Sequence, residues 1–141
     1  MIRIRDIDHV VFRVKDLARM SRFYQDVLGA AFEQDQPAVG LHQLRIGNAL
    51  IDLVPVDGPI GREGGAAPGK EGRNVDHVCF RVLPWDEPAI VAHLAGHGIK
   101  ARILSRYGAD GEGPSIYLND PEGNLLELKG PPWPPVRRAG D

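Results

Sequence analysis

The sequence is poor in cysteine and in long apolar stretches, and each shortage excludes a class of protein. A single cysteine, Cys79, has no partner for a disulfide within the chain and is typical of a reducing compartment. No apolar run reaches the roughly 18 residues that a bilayer span requires, and the charged start Met1–Asp6 is unlike a secretory signal. We therefore expect a cytoplasmic protein without a membrane partner.

Net charge is also scarce. A formal charge of −2 provides no basic surface for a polyanion, so we expect no nucleic-acid partner. The 141 residues are 43% hydrophobic and 26% charged, which is the composition of a globular protein and the length of one ordinary domain. Such a chain is large enough to bury a core without disulfides.

The chain does contain an internal repeat. The stretch Ile7–Val14 returns as Val75–Val82 with six of its eight residues unchanged, including one histidine in each copy, His9 and His77. A second pair of similar segments, Gly47–Leu53 and Gly123–Leu128, closes the two halves. Each half therefore begins on a histidine and ends on a carboxylate, Asp52 in the first half and Glu127 in the second.

Both halves show the same order of local patterns. In the first, period-two alternation predicts a strand over 7–14, and helical spacing after the N-cap Asp16 predicts a helix that ends at Gly29. Three further strands are predicted over 30–34, 41–46 and 49–56. The second half repeats this with a strand over 75–82, a helix from about Asp86, and strands over 99–105, 115–118 and 125–129. The order β-α-β-β-β twice over predicts an α+β fold of two tandem modules.

The boundaries of the modules follow from composition. Module 1 covers about 5–56 and module 2 about 74–130, within a single domain of 1–141. Between them lies a glycine-rich linker, 57–73, which is too loose to form an element of its own. The proline-rich tail, 131–141, cannot continue a helix or a central strand, so we expect an extended C-terminal segment.

The repeated histidines and carboxylates predict a metal site. His9 and His77 occupy the same place in equivalent strands, as do Asp52 and Glu127, so pseudo-symmetry would bring the four side chains to one axis. Two neutral imidazoles with a carboxylate suit Zn, Fe(II), Ni, Co or Mn and leave coordination positions open for substrate. The alternative is that the histidines are core residues preserved by gene duplication. Glu127 argues against it, because a buried carboxylate needs a partner or a cation.

Three more side chains share the histidine face by alternation. Tyr117 would direct its hydroxyl towards the site, in a catalytic or a packing role. Arg13 and Arg81 lie about 13 Å from the histidines along their strands, as solvated rim residues or as a site for a distal anion of the substrate.

The chain resembles the vicinal oxygen chelate superfamily of glyoxalase, bleomycin-resistance and extradiol dioxygenase proteins. The resemblance covers residues 5–130 and rests on four motifs: Asp8-His9-Val10, Phe23–Gly29, Asp76-His77-Val78 and Asp120–Leu128. It implies that the modules form a cup-shaped mixed sheet around a divalent metal. By the same resemblance His9, His77 and Glu127 are the metal ligands, and the modules that complete the site belong to one chain or, by exchange, to the two chains of a homodimer.

The resemblance leaves the reaction open. Asp52 falls where glyoxalase I has a glutamate, and its side chain is one methylene shorter, so Asp52 either binds the metal through water or stands free as a proton-transferring base. We expect a glyoxalase-I-like lyase or isomerase that acts on a small oxygenated substrate through a metal-chelated enediolate, with Asp52 and Tyr117 as catalytic residues. The alternatives are an Fe(II)-dependent extradiol dioxygenase, in which Tyr117 assists the bound oxygen, and a non-enzymatic protein that binds an antibiotic or another small molecule.

Overall fold

The structure, a computed structural model, describes residues 1, 3, 4 and 6–134. It divides into two compact units: unit 1 comprises Met1–Asp76 with Asp120–Asn124, and unit 2 comprises His77–Asn119 with the chain from Leu125 onward. Neither α-helix in the described part of the chain is long and apolar enough to cross a membrane. The predicted tail beyond residue 134 lies outside the described residues.

Unit 1 is a four-stranded mixed sheet with one helix. Its elements are β1 (His9–Val14), α1 (Leu17–Asp26), β2 (Ala31–Gln36), β3 (Leu41–Ile46) and β4 (Ala49–Pro55). The strand order is β1-β4-β3-β2; β1 runs parallel to β4, and the other neighbours are antiparallel. This is the βαβββ order that the repeat predicts.

The core of unit 1 lies on one face of β1. Phe12 and Val14 are fully buried there, with Met20 and Tyr24 of α1 and Leu44, Ile51 and Leu53 of the neighbouring strands. The alternation of β1 thus turns its other face, with His9, away from this core.

Local hydrogen bonds set the start and the end of α1. The side chain of Asp16 accepts from the backbone N–H of Arg19 at 2.9 Å, as an N-cap should. Glu122 accepts from the backbone N–H groups of Lys15 and Asp16, which adds negative charge at the positive end of the helix. Gly29 has a φ of +71°, a conformation that glycine adopts without strain, and it stops the helix near the predicted place.

A chain of hydrogen-bonded polar side chains joins α1 to the β2–β3 hairpin. Ser21 Oγ lies 2.8 Å from His42 Nε2, and His42 Nδ1 lies 2.5 Å from Asp35 Oδ1. Both ring nitrogens of His42 are thereby satisfied. His42 consequently anchors the helix to the sheet.

Unit 2 repeats the architecture. Its elements are β5 (His77–Arg81), α2 (Glu87–Gly96), β6 (Ile103–Gly108), β7 (Gly111–Asn119) and β8 (Leu125–Lys129), in the strand order β5-β8-β7-β6. Strand β5 is parallel to β8, and the other pairs are antiparallel. The α+β fold of two tandem βαβββ modules is therefore confirmed.

Some predicted boundaries are wrong. The strand predicted over 99–105 runs from Ile103 to Gly108, and the one predicted over 115–118 runs from Gly111 to Asn119. A tight turn between Gly108 and Gly111 connects the two strands. Their pairing therefore continues up to the turn, well beyond the apolar stretches that suggested these strands. Sequence alternation marks apolar strand segments, whereas hydrogen bonding across a hairpin extends into polar ones.

The predicted linker has more structure than expected. Gly61–Gly64 forms a 3-10 turn. The guanidinium of Arg13 donates to the carbonyls of Gly61, Gly65 and Ala66 at 3.0, 2.6 and 3.1 Å. Arg13 is thus an anchor for this segment and not the solvated rim residue that alternation suggested.

Candidate functional site

In unit 2, strand pairing brings His77 and Glu127 to one face. The parallel register places His77 opposite Leu125 and Cys79 opposite Glu127, so alternation turns His77, Cys79 and Glu127 the same way. His77 Nε2 lies 3.4 Å from Glu127 Oε2. One predicted histidine and one predicted carboxylate are therefore direct neighbours.

The second oxygen of Glu127 is held from β7. Ser115 Oγ donates to Glu127 Oε1 across 2.6 Å, and Ser115 is fully buried while Glu127 is 5% exposed. This buried carboxylate has the compensating partners that its burial requires. Since Ser115 occupies one oxygen, the other is directed at the His77 imidazole.

Tyr117 borders the same pair. It lies directly opposite Glu127 in the β7–β8 register, and its ring meets the His77 ring edge-on with 6.0 Å between centroids. Burial and the nearby Glu127 charge raise the pKa of the Tyr117 hydroxyl above its ordinary value. Tyr117 therefore keeps its proton at neutral pH and can donate a hydrogen bond.

Unit 1 presents the equivalent positions. Asp52 lies opposite Val11 on β1, two residues beyond His9, as Glu127 lies opposite Cys79 two residues beyond His77. His9 is more open than His77, with 48% of its side chain exposed, and its Nδ1 lies 2.7 Å from Asp8 Oδ1. The hydrogen bond to Asp8, with the charge of Asp52, raises the pKa of His9 despite an opposing desolvation effect.

Asp52 is held by a network of glutamines. It is 3% exposed, and Gln43 Nε2 lies 3.1 Å from both of its carboxylate oxygens. Gln34 and Gln36 donate to Gln43 Oε1 at 2.6 and 3.1 Å, which orients the Gln43 amide with its N–H groups towards Asp52. The two equivalent carboxylates thus have different partners: an amide for Asp52, a hydroxyl and an imidazole for Glu127.

The sequence analysis missed Ser115, Gln43 and Asp8. A signal existed for Ser115 alone, a polar residue between Pro114 and Ile116 on an interior strand, whereas Gln43 follows another polar residue, His42. Asp8 precedes the histidine, and alternation alone directs it to the opposite face. Its carboxylate nevertheless reaches the ring of the adjacent residue.

The structure tests which residues can hold a metal ion. In residues 1, 3, 4 and 6–134, no group of three or more His, Cys, Asp and Glu side chains is arranged to hold one. The donor chemistry of the His77–Glu127 pair nevertheless suits a divalent ion, since an imidazole nitrogen and a carboxylate oxygen lie side by side on rigid strands. The full ligand set of His9, His77 and Glu127 stays a prediction.

Known proteins share the sequence pattern. A sequence model of the Glyoxalase/Bleomycin resistance protein/Dioxygenase superfamily matches residues 6–128. Virulence protein STM3117 of Salmonella typhimurium is 30% identical over 128 residues, which cover 86% of this chain and 81% of that protein. Mitochondrial methylmalonyl-CoA epimerase of Bos taurus is 30% identical over 132 residues, covering 87% and 73%.

Solved structures share the fold. The crystal structure of STM3117 superposes with a TM-score of 0.74 at 28% identity and covers 92% of this chain and 99% of its own. Lactoylglutathione lyase from Agrobacterium tumefaciens superposes with a TM-score of 0.60 at 22% identity, covering 89% and 92%. At that identity the second likeness concerns the fold alone.

Proposed function

Because the chain belongs to the Glyoxalase/Bleomycin resistance protein/Dioxygenase superfamily, we propose that it is a metal-dependent isomerase or lyase that moves a proton next to a carbonyl group of a small oxygenated substrate. The observation that carries this proposal is the unequal setting of two equivalent carboxylates. Glu127 presents one oxygen beside His77, whereas Asp52 is held by the Gln43 amide. The setting of Glu127 suits a fixed metal ligand, and that of Asp52 suits a base.

The proposed ligands are His9, His77 and Glu127, supplied by one chain or by two chains of a homodimer. A divalent ion bound there would polarise a substrate carbonyl and make the adjacent C–H more acidic. In each unit the ligand position is supported by a neighbouring side chain, Asp8 at His9 and Ser115 at Glu127. Such supporting hydrogen bonds orient metal ligands and strengthen their binding.

Asp52 is the proposed base. Its carboxylate would take the proton from the substrate carbon and return it to the product. The glutamine network keeps the carboxylate in one orientation, which reduces the reorganisation needed for proton transfer. Tyr117, as a protonated hydroxyl, would donate a hydrogen bond to a substrate oxygen.

Metal content tests the ligand assignment. We expect a divalent metal in the wild-type protein, measured by elemental mass spectrometry after loading with Ni, Co, Zn, Mn or Fe(II) and desalting. His77→Ala, His9→Ala and Glu127→Gln should each lose most of it. His97→Ala, on a histidine just beyond α2, is the control and should keep it. Full occupancy in the three ligand variants would refute the assignment.

Proton exchange in D₂O tests the reaction. Two probes are suitable: methylmalonyl-CoA, from the epimerase relative, and the hemithioacetal of methylglyoxal with glutathione, from the expected glyoxalase-I-like reaction. We expect metal-dependent deuterium incorporation at the carbon next to a carbonyl, lost in Asp52→Asn while metal content persists. Oxygen uptake with a catechol in place of exchange would indicate the dioxygenase alternative. Ligand binding without metal would indicate the non-enzymatic binder.

A further inference from the structure

Unit 2 carries two cationic side chains near the candidate site that have no carboxylate partner among the described residues. These are Arg106 on β6 and Lys129 on β8. Arg81, in contrast, is neutralised by Asp110, with 2.7 Å between Nε and Oδ2. Arg106 and Lys129 are therefore two positive charges near the candidate site that no carboxylate of the described residues neutralises.

Both cations share the face of Glu127. Lys129 follows Glu127 by two residues on β8, about 7 Å along the strand, and pairs with Ser115. Arg106 pairs with Gly113, two residues before Ser115 on β7, so strand alternation turns it to the face of Ser115 and Glu127. At Gly113 the Pro131 carbonyl lies over this face, since a Cβ there would stand 2.3 Å from the Pro131 oxygen.

Lys129 is unusual because its charge is buried. The residue is 8% exposed, and its ammonium group donates a hydrogen bond to a neutral acceptor, the Arg106 carbonyl, at 2.7 Å. Gly108 makes room for it, since a Cβ at that position would lie 2.6 Å from Lys129 Cε. Burying an ammonium group without a counter-charge is costly. A bound anion would offset this cost.

Arg106 is the exposed member. Its guanidinium carbon lies 5.8 Å from the centre of the Tyr117 ring. Tyr117 pairs with Glu127, so the positive charge of Arg106 lies near the candidate site. Nη1 donates to the Ser105 carbonyl at 2.8 Å. The guanidinium has five N–H donors in all, and its planar fork matches an oxyanion with two parallel hydrogen bonds.

We propose that Arg106 and Lys129 form a binding site for an oxyanion group of the substrate, a carboxylate or a phosphate. Arg106 contacts the anion directly, and Lys129 adds its charge and holds the Arg106 backbone. This inference rests on the proposed function, because it assumes that the anion belongs to the substrate of the proposed enzyme. The substrate class is thereby a small oxygenated acid or phosphate ester, bound through its anionic end.

Binding to the metal-free protein tests this site. Ligand-observed NMR titrations would use glycolate, phosphoglycolate and uncharged glycolamide. We expect at least one of the two anions to bind, with the stronger one identifying carboxylate or phosphate, and glycolamide to bind at least tenfold more weakly. Arg106→Gln should weaken anion binding about tenfold or more, because it removes a charged hydrogen-bond donor.

Control variants separate charge from folding. Lys129→Met should weaken anion binding and Lys129→Arg should retain most of it, with circular dichroism to verify that each variant folds. Lys100→Met removes an exposed charge from the same unit and should leave binding unchanged. Equal binding of glycolamide and glycolate, or wild-type affinity in Arg106→Gln, would overturn the inference. Because no metal is present, this result is independent of the metal-content test.

Discussion

Tyr24 donates a hydrogen bond to Asp120 across 2.9 Å, and this bond joins two motifs that lie far apart in the sequence. Tyr24 is fully buried and Asp120 is 4% exposed. Asp120 also accepts from the Asn124 amide at 2.6 Å and from the backbone N–H of Glu122 at 3.0 Å. The segment 120–124 therefore belongs to unit 1, although its neighbours in sequence belong to unit 2.

Removing this hydroxyl should destabilise the protein. Tyr24→Phe leaves the buried Asp120 with one donor fewer, so we expect the free energy of unfolding to fall by about 1.5–3 kcal/mol. Urea denaturation followed by circular dichroism measures it. Tyr107→Phe is the matched control, because Tyr107 is 83% exposed, and should change stability by less than about 0.5 kcal/mol. Equal effects of the two variants would contradict the prediction.

Ser115 should control metal affinity. Ser115→Ala frees Glu127 Oε1 and lets the carboxylate rotate away from His77, so we expect metal to bind about 10–100-fold more weakly. Competition with a chromogenic chelator measures the affinity. Ser115→Thr keeps the hydroxyl and should restore most of it. Ser105→Ala removes an exposed hydroxyl that bonds Glu112 and should have no effect; unchanged affinity in Ser115→Ala would refute the role.

Metal retention should depend on pH through His9. A ligand imidazole must be neutral, and the Asp8 hydrogen bond raises the pKa of His9 above 6.5, so protons should displace the metal as pH falls through that raised value. Asp8→Asn should lower the pKa and shift metal loss to lower pH. NMR titration of the metal-free protein measures the pKa, and elemental analysis across a pH series measures the loss. Asp26→Asn, at the exposed end of α1, should change neither.

Cys79 should be a slow nucleophile although it is partly exposed. Desolvation, reinforced by the Glu127 charge and a hydrogen bond to Glu127, raises the pKa of its thiol to about 11. Compared with a thiol of pKa 9.0, the reactive thiolate is about a hundredfold scarcer at neutral pH. Alkylation by iodoacetamide, with glutathione as the reference thiol, should be correspondingly slow and accelerate up to about pH 11. An alkylation rate equal to that of glutathione at pH 7.5 would contradict the raised pKa of the Cys79 thiol.

Much of the fold could be predicted because its signals are local. Alternation in 7–14 and helical spacing after Asp16 depend on neighbours within a few residues, and the strands Leu41–Ile46 and Leu125–Lys129 have the predicted bounds. The β6–β7 hairpin was less predictable. Its strands extend into polar residues whose pairing depends on the turn at Gly108–Gly111.

The candidate site, like the fold, has one part that sequence patterns predict and another that they do not. Repetition and alternation alone placed His77 and Glu127 on one face, and the structure brings Nε2 and Oε2 to 3.4 Å. Repetition and alternation did not indicate which side chains meet the two carboxylates. Ser115 reaches Glu127 from a strand twelve residues away, and Gln43 reaches Asp52 across a hairpin.

By itself the sequence determined the duplicated βαβββ order, the faces of the strands and the equivalence of the two histidine–carboxylate pairs, because periodicity and repetition are properties of neighbouring residues. Only the tertiary structure decided that Tyr24 meets Asp120, that Arg13 anchors the linker, and that Lys129 is buried beside the Arg106 carbonyl. Those contacts depend on strand register and on the direction of long side chains across several strands. Neither quantity is encoded in local periodicity.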